Sequence, residues 1–287
     1  MIEPALKDDA LLADIAAAPR DPGSFDLWWL GQSGFLVHHN NRFLLLDPYL
    51  SDSLTRKYAN TDKPHIRMTA RVIEPRRLRF VDAITSSHGH TDHLDPDTLI
   101  PIYRANPAIH LIIPEACRGL AAERLQIPPA RFTGMDDGSF TMVGPFEFTA
   151  IASAHEQVTT DEQGHTQHLG YVVQFGRFSI YHSGDTLRYE GLAERLAEFS
   201  IDVALLPING REPQRRVAGN LTGREAAQLA RDMGAKLAIP CHYDMFTFNT
   251  ASPEEFVSQC RILDQPCRVL RAGQRFASRE LALAGCA

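Results

Sequence analysis

Six consecutive residues, His88-Gly89-His90-Thr91-Asp92-His93, constrain this chain more than any others. They follow the apolar run from Val81 to Thr85, which reads as a buried strand, so four ligating side chains leave a strand end within one short loop. Imidazole is a borderline ligand and carboxylate a hard one, a mixture that suits Zn²⁺, Mn²⁺ or Fe²⁺. A regular helix or strand would fan these side chains apart, whereas a loop can turn them onto one small volume. The competing explanation is a His-rich surface tract or the remnant of a purification tag. The strand-end placement and the interleaved aspartate argue against both.

The flanking sequence predicts alternating strands and helices. Phe25 to Leu46 reads as three strands, with a tight turn at Asn40-Asn41 and a continuous apolar third run ending at Asp47-Pro48. Asp95-Pro96 offers a helix N-cap followed by proline at the first helical position. A strand from Ala108 to Pro114 and a helix carrying Leu120 and Leu125 come next. Gly134 to Ala152 reads as a meander, and two strands joined at Gly176 follow it. Leu192, Leu196 and Phe199 recur at helical spacing. Asp202 to Ile208 is a strand, Thr222 with Glu225 a capping box, Lys236 to Cys241 a strand, and Ser252-Pro253 the start of a further helix. Strands then β–α alternation, twice over, predicts an α/β fold of two similar halves with sheets inside and helices outside. Residues 1–24, with Leu6, Leu11, Leu12 and Ile15 at helical spacing, read as a helical extension, and residues 25–287 as a single domain.

The net charge of −6 argues against a dedicated nucleic-acid partner, and the arginines at 71, 76, 77 and 79 read as a solvated face. The five cysteines (117, 241, 260, 267 and 286) form no C-x-x-C pair, and no secretory segment precedes them, so reduced thiols and a cytoplasmic setting are expected. No run reaches the ~20 apolar residues of a membrane span. A small-molecule substrate is the expected partner, with a homo-oligomer left open.

H-x-H-x-D-H after a hydrophobic strand resembles the signature of the metallo-β-lactamase superfamily, and the resemblance extends along nearly the whole chain. It implies a four-layer αββα sandwich and three further ligands in order, a His, an Asp and a His, each at a strand end. His155, Asp185 and His242 stand at such positions. By this resemblance His88, His90 and His155 would bind one divalent metal, and Asp92, His93 and His242 a second. Asp185 would bridge the two, and Zn, Mn or Fe are the candidate ions. Two metals about 3.5–4 Å apart can acidify a shared water to hydroxide at neutral pH and polarise a scissile bond. The catalytic residues would be Asp185 and Asp92, the latter also a candidate proton acceptor.

The phrases "WWLGQSGFLV", "YHSGDT" and "IPCHYDMF" are similar to the ascorbate-6-phosphate lactonase branch of the superfamily. The chain departs from that branch in lacking its longer N-terminal tail and insertions, and in having His155 where the lactonase has an acidic residue. The resemblance implies a lactonase for a small sugar-like or phosphorylated lactone. Phosphodiester hydrolysis on the same metals is the alternative, and β-lactam hydrolysis at most a side activity. A binding or redox module is disfavoured, because the first motif lacks the extra acidic residues of di-iron versions.

Around the site, His168, Arg211 and Tyr243 are the candidate substrate contacts. Each has a bland alternative: a loop histidine, a solvated arginine, a packed tyrosine. His165 shares the role proposed for His168, and Arg215 and Arg216 share the loop of Arg211. His182 is expected to pack away from Asp185, and Cys241 to fill a strand end. Asp47 either orients a metal-binding histidine or simply makes a turn. His38, His39, His65 and His110 receive no role.

Overall fold

The computed structural model describes residues 1–216 and 218–281; Cys286 lies outside them. β1 (Asp26–Gly31), β2 (Gly34–His39) and β3 (Arg42–Leu46) form two successive antiparallel hairpins. Asn40 and Asn41 take φ of +48° and +60°, the left-handed pair that a two-residue hairpin turn requires and asparagine tolerates. Before them, α1 (Asp8–Ala16) buries Leu11 and Ile15 in the main core, and its Asp14 accepts a hydrogen bond from Trp28 Nε1 at 2.8 Å.

The chain then changes from antiparallel to parallel pairing. After the single turn of α2 (Ser53–Lys57), β4 (Ala83–Thr85), β5 (His110–Pro114) and β6 (Phe132–Met135) add to β3 in parallel. Parallel neighbours need crossovers, which α3 (Pro96–Ala105) and α4 (Arg118–Leu125) provide. Asp95 caps α3 by accepting from Asp97 N, with Pro96 in the first turn. In α4 Leu125 is buried, but Leu120 is 40% exposed: it lies over Gly89, where a Cβ would approach its Cδ2 to 2.7 Å.

The second half repeats the plan. β7 (Phe140–Val143), β8 (Phe146–Ala152), β9 (Leu169–Phe175) and β10 (Phe178–His182) are antiparallel. β11 (Val203–Pro207) and β12 (Leu237–Cys241) follow in parallel, through α5 (Leu192–Ala197) and α6 (Gly223–Asp232). Thr222 and Glu225 close the capping box of α6. After α7 (Glu254–Ile262), the short β13 (Arg275–Ala277) returns to the first sheet and pairs with β1, a crossing that three residues gave no pattern to predict.

The sheets run β13-β1-β2-β3-β4-β5-β6 and β12-β11-β10-β9-β8-β7, with the helices outside: the expected four-layer sandwich. Between them Phe25 meets Phe175 and Phe178 edge-on at 5.5 and 4.9 Å, and one apolar cluster runs from Leu11 to Phe276. Among the described residues, Cys117, Cys241, Cys260 and Cys267 are free, and no helix is long and apolar enough to cross a membrane.

Candidate metal centre

The loops leaving the C-terminal ends of β4, β8, β10 and β12 converge at one edge of the sandwich, so one motif from the first sheet meets three from the second. Ligating atoms of His88, His90 and His155 lie within 4.8 Å of one another, and so do those of Asp92, His93 and His242. Asp185 stands between these triads. Its Oδ2 is 3.9 Å from His155 Nε2 and 3.4 Å from His242 Nε2, and its Oδ1 is 3.3 Å from His93 Nε2.

The donor set fits a divalent cation because several of its atoms have no hydrogen-bond partner among the described residues. His88 Nε2, His93 Nε2 and Asp185 Oδ1 are buried without a hydrogen bond, which is costly for any polar group left so. The opposite ring nitrogens are occupied. Ser87 Oγ meets His88 Nδ1 at 3.0 Å, Asp47 Oδ2 meets His93 Nδ1 at 2.7 Å, and Gly219 O meets His155 Nδ1 at 3.0 Å. Such contacts fix the tautomer and turn the Nε2 lone pairs inward. Asp47 itself is fully buried and also accepts from Thr85 Oγ1 and Ser87 N at 3.1 and 3.0 Å.

Backbone geometry supports the convergence. Asp47 and His242 hold positive φ, +40° and +61°, outside the comfortable range of non-glycine residues. Gly184, at φ +58°, passes so close to the first sheet that a Cβ would stand 2.6 Å from Ser87 Cβ.

Electrostatics separate the histidines. Burial, with the neighbouring His93, pushes the His88 pKa well below its ordinary value. At His93 burial is outweighed by the Asp185 and Asp92 carboxylates, which raise its pKa well above. Burial is outweighed at His242 too, where Asp185 and Asp92 raise the pKa to about 9. Asp185 stays ionised: burial opposes its charge, but His242 and His93 hold its carboxyl far below the usual range.

Gln32 is a site residue that motif reasoning missed. Held at φ +52° in the β1–β2 turn, its Nε2 donates to Asp92 Oδ2 at 2.8 Å and lies 3.0 Å from His242 Nε2. Its only trace in the sequence is a glutamine set among glycines in a tight turn. The centre opens into a pocket of about 340 Å³ that also takes in Lys57, Tyr58, His65, Arg124, Phe246, Phe248 and Asn249. Tyr58 and His65 stack at 4.2 Å, and Phe248 packs on His65 at 4.4 Å. His65 therefore lines the pocket although the sequence assigned it nothing. Asn249 Oδ1 accepts from Asn209 Nδ2 at 3.0 Å.

Two of the expected substrate contacts are placed elsewhere. Tyr243 is buried, stacked on Trp29 at 4.4 Å, with its hydroxyl donating to Leu270 O, so it packs behind the loop and does not line the pocket. Arg211 is held in a fork by Glu225 at 2.5 and 2.6 Å, because the carboxylate that closes the α6 capping box also captures the guanidinium. His168 does lie beside the centre, its ring 5.0 Å from that of His88, and burial with the adjacent His155 lowers its pKa to about 4. His165 faces Asp161, Arg215 bonds Thr250 O, Arg216 pairs with Asp62, and His182 is buried with Nε2 2.8 Å from Ser33 O.

Comparison with known proteins agrees with this architecture. Residues 42–243 match the family described as the Beta-lactamase superfamily domain. A UPF0173 metal-dependent hydrolase of Alkaliphilus metalliredigens is 30% identical over 241 residues, covering 81% of this chain and 92% of that protein. The "Probable L-ascorbate-6-phosphate lactonase UlaG" of Salmonella choleraesuis is 24% identical over 262 residues, covering 82% and 73%. Among solved structures, the isothiocyanate hydrolase from Delia radicum gut bacteria superposes with a TM-score of 0.67 at 16% identity, covering 88% and 98%. The chain belongs to the metallo-β-lactamase superfamily and is a metal-dependent hydrolase of that fold.

Proposed function

We propose that the chain is a lactonase that opens a small sugar-like or phosphorylated lactone on a pair of divalent cations, Zn or Mn. The observation that carries the proposal is the position of Asp185 between two triads of donor atoms. In it, His88, His90 and His155 would hold one ion, Asp92, His93 and His242 would hold the other, and Asp185 would serve both. When bound, such a pair supplies Lewis acidity and an acidified water. The chain's own residues orient and exclude. Asp47, Ser87 and Gly219 lock the imidazoles, Gln32 fixes Asp92, and Tyr58, His65 and Phe248 give the pocket an aromatic wall against which a small substrate would rest. Asp92 would serve as an anionic donor to the cation: burial opposes its charge, but His93 and His242 keep it ionised. Were its metal contact weak, the same carboxylate would be the candidate proton acceptor from the attacking water. The pocket volume suits a single small ring, and the lactonase relative supports an ester within it. Residues 25–287 form one hydrolase domain in this proposal, with 1–24 laid against it.

The test is a screen of lactones and bis-p-nitrophenyl phosphate with chelator-treated protein, resupplied separately with Zn²⁺ and Mn²⁺. Metal-dependent lactone turnover is expected. Robust phosphodiester turnover without lactone turnover would reverse the assignment.

Cation uptake should depend on pH in a defined sense. His242, with its pKa raised to about 9, carries a proton at neutral pH in the metal-free chain, and that proton must leave before a cation can bind the ring. Apparent affinity therefore climbs as pH rises from 6 toward 9, with protons released. Calorimetry in buffers of different ionisation enthalpy measures that release, and a flat affinity profile over this range contradicts the ligand assignment.

A further inference from the structure

Two cationic side chains at the pocket lack the counter-charge their neighbours have. Nearby, Arg56 of the adjoining cavity pairs with Asp97, and Arg67 pairs with Asp52 at 2.7 Å. Lys57 and Arg124 line the pocket, and among the described residues neither has a carboxylate within 4.0 Å. Lys57 Nζ instead rests 5.2 Å from the centre of the Tyr58 ring. Arg124 donates through Nη1 to the carbonyls of Gly89 and Leu94, at 2.7 and 3.3 Å. That anchors the guanidinium against the ligand-bearing loop and leaves its other edge available.

Lys57, Thr91 and Arg124 also line a second, more open cavity of about 480 Å³. The three residues are thus shared by both spaces and form a ledge between them, with Thr91 carried between His90 and Asp92. An ammonium, a hydroxyl and a guanidinium edge are all donors. A planar fork beside a point charge matches an oxyanion with two or three acceptor oxygens.

We infer that the substrate carries an anionic arm, a carboxylate or a phosphate ester, bound on the ledge of Lys57, Thr91 and Arg124 while its scissile bond lies beside Asp185. The inference rests on the hydrolase reading above and narrows its substrate class. Neutral lactones of the same ring then bind through the aromatic wall alone and bind more weakly.

Binding and turnover test it separately. The zinc-loaded chain is titrated calorimetrically with acetate, succinate and 3-phosphonopropionate. Acetate reaches only the metal centre; the other two add a second anion, as carboxylate or as phosphonate, and the pair distinguishes the two kinds of arm. The second anion should tighten binding about tenfold, the scale of one charge-assisted hydrogen bond. Lys57→Gln should remove most of that gain and Lys57→Glu should place succinate below acetate. The ratio of kcat/KM for a carboxymethyl lactone over its methyl counterpart should fall about tenfold in Lys57→Gln. Dianions that bind no better than acetate, or ratios unchanged in both Lys57→Gln and Arg124→Gln, overturn the inference. If the binding ratios hold while no lactone is turned over, the lactone reading fails and the anion ledge stands.

Discussion

Asp185→Ala protein is expected to lose bound divalent metal and hydrolytic turnover together, with activity down by at least about a thousandfold. The physical reason is position. Among the described residues, Asp185 is the one carboxylate with oxygens between 3.3 and 3.9 Å from histidines of both triads, so in the proposed arrangement its removal would take an anionic donor from each ion at once. It also leaves the raised-pKa rings of His93 and His242 facing each other with less counter-charge. His90→Ala removes a donor from one triad only and should reduce metal content less. Metal content measured by mass spectrometry beside turnover on the best substrate makes the comparison. An Asp185→Ala chain that kept its metal and its rate would show that the carboxylate does not bridge.

Asp47→Ala should act through both the fold and the centre. The carboxylate is fully buried and accepts from His93 Nδ1, Ser87 N, Ser87 Oγ and Thr85 Oγ1. Burial opposes its ionisation, yet His182 and His93 lower its pKa, so it is an anion compensated on several sides. Truncation strands those donors and costs about 3–5 kcal/mol, the usual scale for breaking a buried charged pair from one side. It also frees the His93 ring, and loss of such a partner typically weakens metal binding 10–100-fold. Denaturant unfolding of the metal-free variant reads the first effect, and competitive metal titration reads the second. Asp47 would prove to be a turn residue alone if stability dropped while metal affinity stayed put. Asp47→Asn keeps the volume and one acceptor, and should fall between the two.

The convergence of these donor side chains was legible because they obey a positional rule. Each of the four motifs follows an apolar run that becomes a strand: β4 pairs in parallel with β3, β10, β11 and β12 run parallel, and β8 runs the same way as β10 across the antiparallel β9, so order along the chain translates into a shared edge in space. Turns and caps were legible for the same local reason: Asn40-Asn41, Asp95-Pro96 and Thr222 with Glu225 act on their own backbone. What surrounds the donor cluster was not. Lys57, Tyr58 and His65 come from a one-turn helix and a loop with no periodicity, and only the tertiary fold brings them to the pocket. Tyr243 and Arg211 show the converse. Each lies near the expected place in sequence, but a stacking face on Trp29 and the capping-box carboxylate of Glu225 compete for them, and nothing local reveals who wins.

The contact of Gly184 with Ser87 has a mechanical consequence. Ser87 belongs to the first half and Gly184 to the second, and the 2.6 Å that a Cβ would leave between them is too little for any side chain. The seam is therefore shut to the width of a missing methyl group at the point where Asp185 and His88 each leave their own sheet. Even alanine there acts as a wedge, prising one bank of ligands from the other, so the tolerance of the whole centre is set by an atom that is not there.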